Sequence, residues 1–146
     1  MSTGNVSPKL SGGIIFSDGA IREHGTNKLT LIGSFQILNA PVFPFTSLPF
    51  QVTALVENLP IGEQILARVS VQSPEETELG GSAGQLKLDN MVEPRAHTEL
   101  PFPVRPIVFQ TPGEYIVRVL IGEQEIGRKS LFVRSVPQFS MYLPQS

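Results

Sequence analysis

Cysteine is absent from this 146-residue sequence. The chain therefore forms no disulfide and offers no thiolate nucleophile, iron–sulfur cluster or cysteine-ligated zinc site. A chain without cysteine is compatible with a reducing compartment, and we expect a cytoplasmic protein.

Charge and long apolar runs are also scarce. Charged residues make up 16% of the chain, and 11 Lys and Arg against 13 Asp and Glu leave a net charge of -2. No basic block is available to neutralise a run of phosphates, so we expect no nucleic-acid partner. The apolar segments are strand-length, far short of the roughly 20 residues that cross a bilayer, and we expect no membrane contact. Residues 1–13 carry no apolar run of the length that a signal peptide needs, which indicates no export.

Turn-forming residues, in contrast, are abundant, with 13 glycines and 13 prolines. This frequency is typical of a chain that turns often between short strands. The length suits one domain. We expect a flexible N-terminal segment over residues 1–12, a single β-domain over residues 13–134, and a C-terminal tail over residues 135–146.

The clearest structural signal is a β-hairpin near the C-terminus. Tyr115, Val117 and Val119 alternate with Ile116, Arg118 and Leu120, a turn follows at Gly122, and a second alternating run extends to Val133. The Pro112-Gly113-Glu114-Tyr115 corner resembles the tyrosine corner of immunoglobulin-like and fibronectin-like sandwiches, in which the tyrosine hydroxyl returns to the backbone of the turn. Tyr115 is therefore a predicted structural residue.

Strand patterns also cover most of the remaining chain. Asp18-Gly19 predicts a bulge or bend in the first strand, and the prolines of residues 39–49 predict a long crossover between sheets. Ile61-Gly62-Glu63-Gln64 recurs as Ile121-Gly122-Glu123-Gln124, which fits either two similar turns or a duplicated half. The predicted strands are residues 14–23, 28–38, 50–59 paired with 64–73, 85–91, a proline-containing edge strand over 99–110, and the final hairpin. The expected fold is an all-β sandwich of two sheets with seven or eight mainly antiparallel strands and no substantial helix.

Residues that could carry chemistry are few and scattered. His24 and His97 fall in predicted loops, and a catalytic or metal role would need carboxylates to converge on them. The acidic run Glu75, Glu76 and Glu78 lacks the spacing of a calcium loop, and Ser82 in the glycine-rich stretch belongs to no nucleophile or phosphate-binding motif. Arg118, Arg128 and Arg134 on the last strands suggest cross-strand ion pairs on a solvated face. We therefore predict no catalytic residue, no metal and no cofactor.

The tail carries the best candidates for an interaction. Phe139, Met141, Tyr142 and Leu143 follow the last predicted strand, and burying each would be favourable by on the order of 1.5 to 3 kcal/mol. The tail is expected to pack on its own sandwich or on a neighbouring molecule.

The first predicted hairpin contains an acidic residue, then Arg-x-Glu, a short turn and Lys-Leu-x-Leu-x-Gly. The residues of this pattern are Asp18, Arg22, Glu23, Lys28, Leu29, Leu31 and Gly33. The pattern resembles the signature of a family of small bacterial proteins of unknown function. The resemblance implies a bacterial source and an immunoglobulin-like sandwich, and it implies no activity.

Two classes of function follow from this pattern. The first is a non-catalytic module that binds an unidentified protein, or a second copy of itself, through strand edges and the tail. The alternative is a small-ligand site, such as a carbohydrate site, at the predicted loops 40–47 and 75–84, within a larger assembly. A hydrolase ranks third. Convergence of the two loops into a polar-rimmed pocket would favour the ligand site, and a flat apolar strip along an edge would favour the interaction module.

Overall fold

The structure, a computed structural model, describes residues 7–88 and 96–136. Within these ranges the chain forms strands and no helix, as the abundance of turn residues predicts. Eleven strands are described: β1 (Lys9–Arg22), β2 (Leu29–Phe35), β3 (Ile37–Ala40), β4 (Phe45–Thr46), β5 (Phe50–Glu57), β6 (Gln64–Gln72), β7 (Glu78–Lys87), β8 (Thr98–Val104), β9 (Val108–Phe109), β10 (Gly113–Ile121) and β11 (Gln124–Ser135).

These strands form two large sheets and one small one. The four-stranded sheet has the order β2-β1-β5-β8 and is antiparallel throughout, and the five-stranded sheet has the order β3-β11-β10-β6-β7. Within the five-stranded sheet only β3 is parallel to its neighbour, β11. Strands β4 and β9 pair with each other. The two large sheets contribute to one buried apolar cluster, with Phe16, Val52 and Val56 from one sheet and Val117 and Leu131 from the other.

The predicted count of seven or eight strands is wrong. The predicted strand 28–38 breaks at Gln36 into β2 and β3, which belong to different sheets. The predicted edge strand 99–110 likewise divides into β8 and β9 around Pro106, and β4 adds a short strand within the crossover. The alternation of apolar residues continues through Gln36, so the sequence pattern does not reveal the change of sheet there.

The last hairpin is confirmed. Strands β10 and β11 pair from Gly113–Val133 to Ile121–Gln124, with one register shift after Val119. The Tyr115 hydroxyl donates a 2.6 Å hydrogen bond to the Thr111 carbonyl, and its ring packs edge-on against Phe109 with ring centroids 4.8 Å apart. Tyr115 thus ties the turn before β10 to the core.

The N-terminal part of the chain needs two corrections. Strand β1 begins at Lys9, so residues 9–12 belong to a strand where a flexible segment is predicted, and Lys9 and Leu10 pair with the end of β5. The irregularity of β1 lies between Leu10 and Gly13, whereas the register around Asp18-Gly19 is continuous. The expected bulge is therefore misplaced, and the observed irregularity contains a positive backbone angle at Gly13, with φ of 92°.

The predicted pairing of residues 50–59 with 64–73 is also wrong. β5 lies between β1 and β8, whereas β6 lies between β10 and β7 in the other sheet. The connection carries the chain from the four-stranded sheet to the five-stranded sheet, with Leu59 buried and Asn58 in a left-handed conformation at φ 68°. The predicted crossover of residues 39–49 is confirmed, since it joins β3 of the five-stranded sheet to β5 of the four-stranded sheet.

The polar stretch over residues 75–84 was predicted as a loop, and most of it is a strand. Glu78 to Gly84 belong to β7, which pairs with β6 from Gln72–Glu78 to Gln64–Lys87. Glycines 80, 81 and 84 conceal this strand, because a residue without a side chain adds nothing to an alternating pattern. Only residues 73–77 form a turn, closed by a hydrogen bond from the Ser73 amide to the Thr77 carbonyl.

Candidate interaction surface

Strand β7 forms an edge of the five-stranded sheet, because it pairs only with β6. The amide of Gly122, just after β10, donates to the Leu66 carbonyl at 2.7 Å, so the polar backbone groups of Leu66 face β10. Along a strand, the backbone N–H and C=O groups of successive residues point alternately to the strand on one side and to the strand on the other. The odd-numbered residues of β6 therefore bond to β7.

This alternation identifies the backbone groups on the outer edge of β7. The partners of Ile65, Ala67 and Val69 are Leu86, Gly84 and Ser82, and these three turn their amides toward β6. The outward amides and carbonyls of β7 consequently belong to Gly81, Ala83 and Gln85. No charged residue and no proline occurs between Gly80 and Leu86. Between Gly80 and Leu86 this edge therefore lacks the charges and prolines that commonly prevent strand addition, and the only register shift of the β6–β7 ladder lies before Gly80.

The neighbouring edge, formed by β8, differs. β8 pairs with β5 in a continuous ladder, and Pro101 and Pro103 occupy alternate positions within it. Proline has no N–H, so a continuous ladder places both proline nitrogens on the outer side of β8. The prediction of an edge strand is thereby confirmed for residues 99–104. The outer side of β8 offers no amide donor at these two positions.

The remaining two edges are shorter or interrupted. β3 has only four residues and is followed by Pro41. β2 has seven residues, but its regular conformation is broken by Gly33, with φ of 69°. β7, with ten residues, therefore offers the longest edge among the described strands.

A groove of about 300 Å³ separates the edges of β7 and β8. On the β7 side it is bordered by small residues such as Ser82 and Gly84, and on the β8 side by Leu100 and Phe102. Leu100 and Phe102 belong to the buried core, with 9% and 6% of their surfaces exposed. A strand added along β7 would lie beside this groove and could place an apolar side chain against the core.

The residues that carry the family resemblance build the first hairpin. Asp18 packs against Gly33, where an added Cβ would lie 2.5 Å from the Asp18 carboxylate. Glu23 accepts hydrogen bonds from the hydroxyls of Thr26 and Thr30 at 2.8 and 3.1 Å. Arg22 donates to the Glu99 carboxylate at 3.0 Å and to its backbone carbonyl at 3.2 Å. These contacts give the signature residues a structural role.

A network of charges lies on the outer face of the last hairpin. Arg118 and Arg128 are directly opposed across β10 and β11. Glu125 accepts a 2.7 Å hydrogen bond from each of them. The hydrogen bond from Arg128, followed by that from Arg118, lowers the pKa of Glu125 to about 2, although partial burial acts in the opposite direction. The predicted ion pairs therefore exist for two arginines, whereas Arg134 donates to the Asn39 side chain at 3.0 Å.

The other candidate residues are not brought together. His24 is exposed in the first turn, and His97 is exposed with its imidazole 4.0 Å from Glu99. Glu78 accepts a 2.9 Å hydrogen bond from Ser70 and lies 3.8 Å from Arg68. Over residues 7–88 and 96–136, no group of three histidine or acidic side chains is placed to hold a metal ion.

The two segments predicted to form a ligand site meet at a buried side chain. The Ser47 amide donates to the Ile107 carbonyl at 2.9 Å, and an added Cβ at Gly80 would lie 3.2 Å from the Ile107 side chain. Ile107 is buried, so it fills space between residues 40–47 and β7. The four predicted tail residues, Phe139, Met141, Tyr142 and Leu143, lie outside the described ranges.

Sequence reasoning missed the β7 edge, which is the main feature of this surface. The available signal was the uncharged run of small residues from Gly80 to Gly84 between Glu78 and Lys87. Small residues in such a run indicate a loop as readily as an edge strand that another chain can approach closely.

Comparison with known proteins identifies relatives without a described activity. A model of the family of unknown function DUF6941 matches residues 13–134. An immunoglobulin-like protein from Pseudomonas aeruginosa is structurally similar at 14% sequence identity and a TM-score of 0.43, and the match covers 88% of this chain and 98% of that one. The search of curated proteins finds no match. Within the described ranges, no helix is long and apolar enough to span a membrane.

Proposed function

Because the chain belongs to a family of unknown function, DUF6941, we propose its function from its geometry: a non-catalytic interaction module that binds a protein strand along β7. The finer architecture that we assign to it is a two-sheet immunoglobulin-like sandwich. We further propose that it acts in the bacterial cytoplasm, in keeping with the expectation from the sequence.

The observation that supports this proposal is the difference between two neighbouring edges. β7 presents outward backbone groups at Gly81, Ala83 and Gln85 with no proline or charge among them, whereas prolines remove two outward donors from β8. A protein strand added to β7 would form main-chain hydrogen bonds with these groups, and alternate side chains would face the groove beside β8. The partner is a different protein or a second copy of this chain.

The test compares two substitutions at one outward-facing position. Ala83→Pro removes an outward N–H without removing a hydrogen bond to β6, and Ala83→Ser keeps that N–H and serves as the matched control. Each tagged protein is used to capture partners from its native lysate with quantitative mass spectrometry, and the self-association of each pure protein is measured by sedimentation equilibrium.

We expect the wild-type protein and Ala83→Ser to bind the same partner or to form the same self-associated species. Ala83→Pro should have an affinity at least about tenfold lower, since losing a main-chain contact worth about 1.4 kcal/mol lowers the affinity by that factor. Equal binding by Ala83→Pro would contradict the assignment to β7. Thermal denaturation must show that both variants are fully folded at the temperature of the binding measurement, so that the loss reports binding and not unfolding.

A further inference from the structure

An apolar groove lies on the outer face of the five-stranded sheet, far from β7. We call it the Phe132 groove. Its volume is about 530 Å³, and its lining consists of Ile37, Pro112, Gly113, Glu114, Phe132, Val133 and Arg134. Phe132 and Ile37 are direct partners across β11 and β3. Their exposed fractions are 38% and 41%, so two large apolar side chains stand side by side in solvent.

The charged residues of the groove lie on different strands and leave the apolar pair between them. Glu114 belongs to β10 and Arg134 to β11. Arg134 is occupied by its hydrogen bond to the Asn39 side chain, and Glu114 accepts a hydrogen bond from the Ser130 hydroxyl. A segment suited to the groove is therefore apolar and uncharged.

The chain itself supplies such a segment beside the groove. The Val136 amide donates to the Ala40 carbonyl at 3.0 Å, so the chain leaves the sheet along the same pair of strands that carries Phe132 and Ile37. The ten residues that follow contain no charged residue, and Phe139, Met141 and Leu143 occupy alternate positions between Pro137 and Pro144. Ten extended residues span at most about 35 Å. Phe132 lies four positions before Val136, or about 13 Å along the strand, so the segment is long enough to turn back over it.

We propose that residues 137–146 fold back on the same molecule and cover the Phe132 groove. This occupant explains why an exposed pair of apolar side chains lies where the chain leaves the sheet. The proposal concerns the tail, for which the sequence predicts packing on its own sandwich or on a neighbouring molecule, and it is independent of the β7 edge.

The test is a double-mutant cycle in which the melting temperature is measured for two changes, singly and together. One shortens the chain to end at Val136, and the other is Phe132→Ser. If the tail packs on Phe132, the loss of melting temperature caused by Phe132→Ser is greater in the full chain than in the shortened chain by at least about 2 °C, because contacting sites are not additive. The matched control is Ile32→Ser, since Ile32 is 48% exposed on the other large sheet and its effect should be the same in both chains.

Additive effects of truncation and Phe132→Ser would overturn the proposal, as would equal coupling at Ile32. The cycle is repeated at a hundredfold lower protein concentration with the molecular mass followed by light scattering. Coupling that persists in a monomer supports packing on the same molecule, and coupling that disappears on dilution shows docking on a second copy and overturns it. Ala83→Pro leaves this cycle unchanged, so failure at the tail and failure at β7 are distinguishable.

Discussion

Individual glycines in this protein have separable roles, of which Gly33 and Gly25 are the clearest examples. Both have left-handed backbone conformations, with φ of 69° and 93°. Gly33 lies against the Asp18 side chain, whereas no atom lies within 4 Å of the position of an added Cβ at Gly25. Glycine is therefore required at Gly25 only for its backbone conformation, whereas at Gly33 it is required both for its conformation and for lack of space.

Gly33→Ala is expected to destabilise the protein more than Gly25→Ala. The left-handed conformation costs each variant about 1 to 2 kcal/mol, and Gly33→Ala adds the displacement of Asp18. The free energy of unfolding from urea titrations measures both. Adding Asp18→Ala to Gly33→Ala should recover most of the steric part, because it removes the carboxylate, and leave the conformational part. Equal losses in the two single variants would show that Asp18 moves aside at no cost.

Glu125 gives the protein a pH-dependent contribution to stability. Its pKa in the folded state, about 2, lies below the ordinary value of 4.5, so the folded state favours the ionised carboxylate. This contribution is complete above pH 4.5 and is lost as the pH falls toward 2. Solvent reaches the side chain, which is 23% exposed, and limits the contribution to about 1 kcal/mol.

Glu125→Gln should therefore lower the free energy of unfolding by about 1 kcal/mol at pH 7 and have little effect near pH 2. Urea titrations at both pH values measure the difference. Glu123→Gln is the control, because Glu123 is exposed in the same turn. A Glu125→Gln loss of the same size at pH 7 and pH 2 would show that the carboxylate charge is not the cause.

At the scale of the element, β7 has two distinguishable sides. Ser82→Pro should remove a hydrogen bond to β6 and lower the free energy of unfolding by about 3 kcal/mol or more, whereas Ala83→Pro should lower it by less than about 1 kcal/mol. Chemical denaturation of the two variants measures this difference. A larger loss for Ala83→Pro than for Ser82→Pro would mean that the ladder between β6 and β7 uses the other set of amides, and equal losses would also contradict the assignment.

Elements with strong alternation could be predicted from the sequence, and those without it could not. The final hairpin is an example of the first kind, because Tyr115, Val117 and Val119 all face the core. β7 is an example of the second, since its glycines have no side chains to alternate. The pairing of β5 with β6 was wrong because neighbouring strands in a sequence usually pair, whereas Pro60 and the buried Leu59 carry this connection to the opposite sheet.

At the scale of the whole molecule, the sequence predicted the all-β class and the crossover, and it left the candidate surface unidentified. An edge is a property of the sheet order, which depends on contacts between residues far apart in the chain. Once the order β3-β11-β10-β6-β7 is known, the exposed side of β7 follows directly. The prolines of β8 could be recognised earlier, because proline alone restricts a strand to an edge.

The parallel pairing of β3 with β11 also has a consequence for synthesis on the ribosome. Arg134 and Asn39, which touch in this pairing, are 95 positions apart, and the Lys129 ammonium donates to the Ile14 carbonyl across 115 positions. β3 thus acquires its only neighbour among the described strands of the sheet when β11 has left the exit tunnel, whereas β1 can pair earlier with β2 and β5. Until then the nascent chain exposes the edge of β3 without its partner, and unpaired edges of this kind are the sites at which nascent chains associate wrongly.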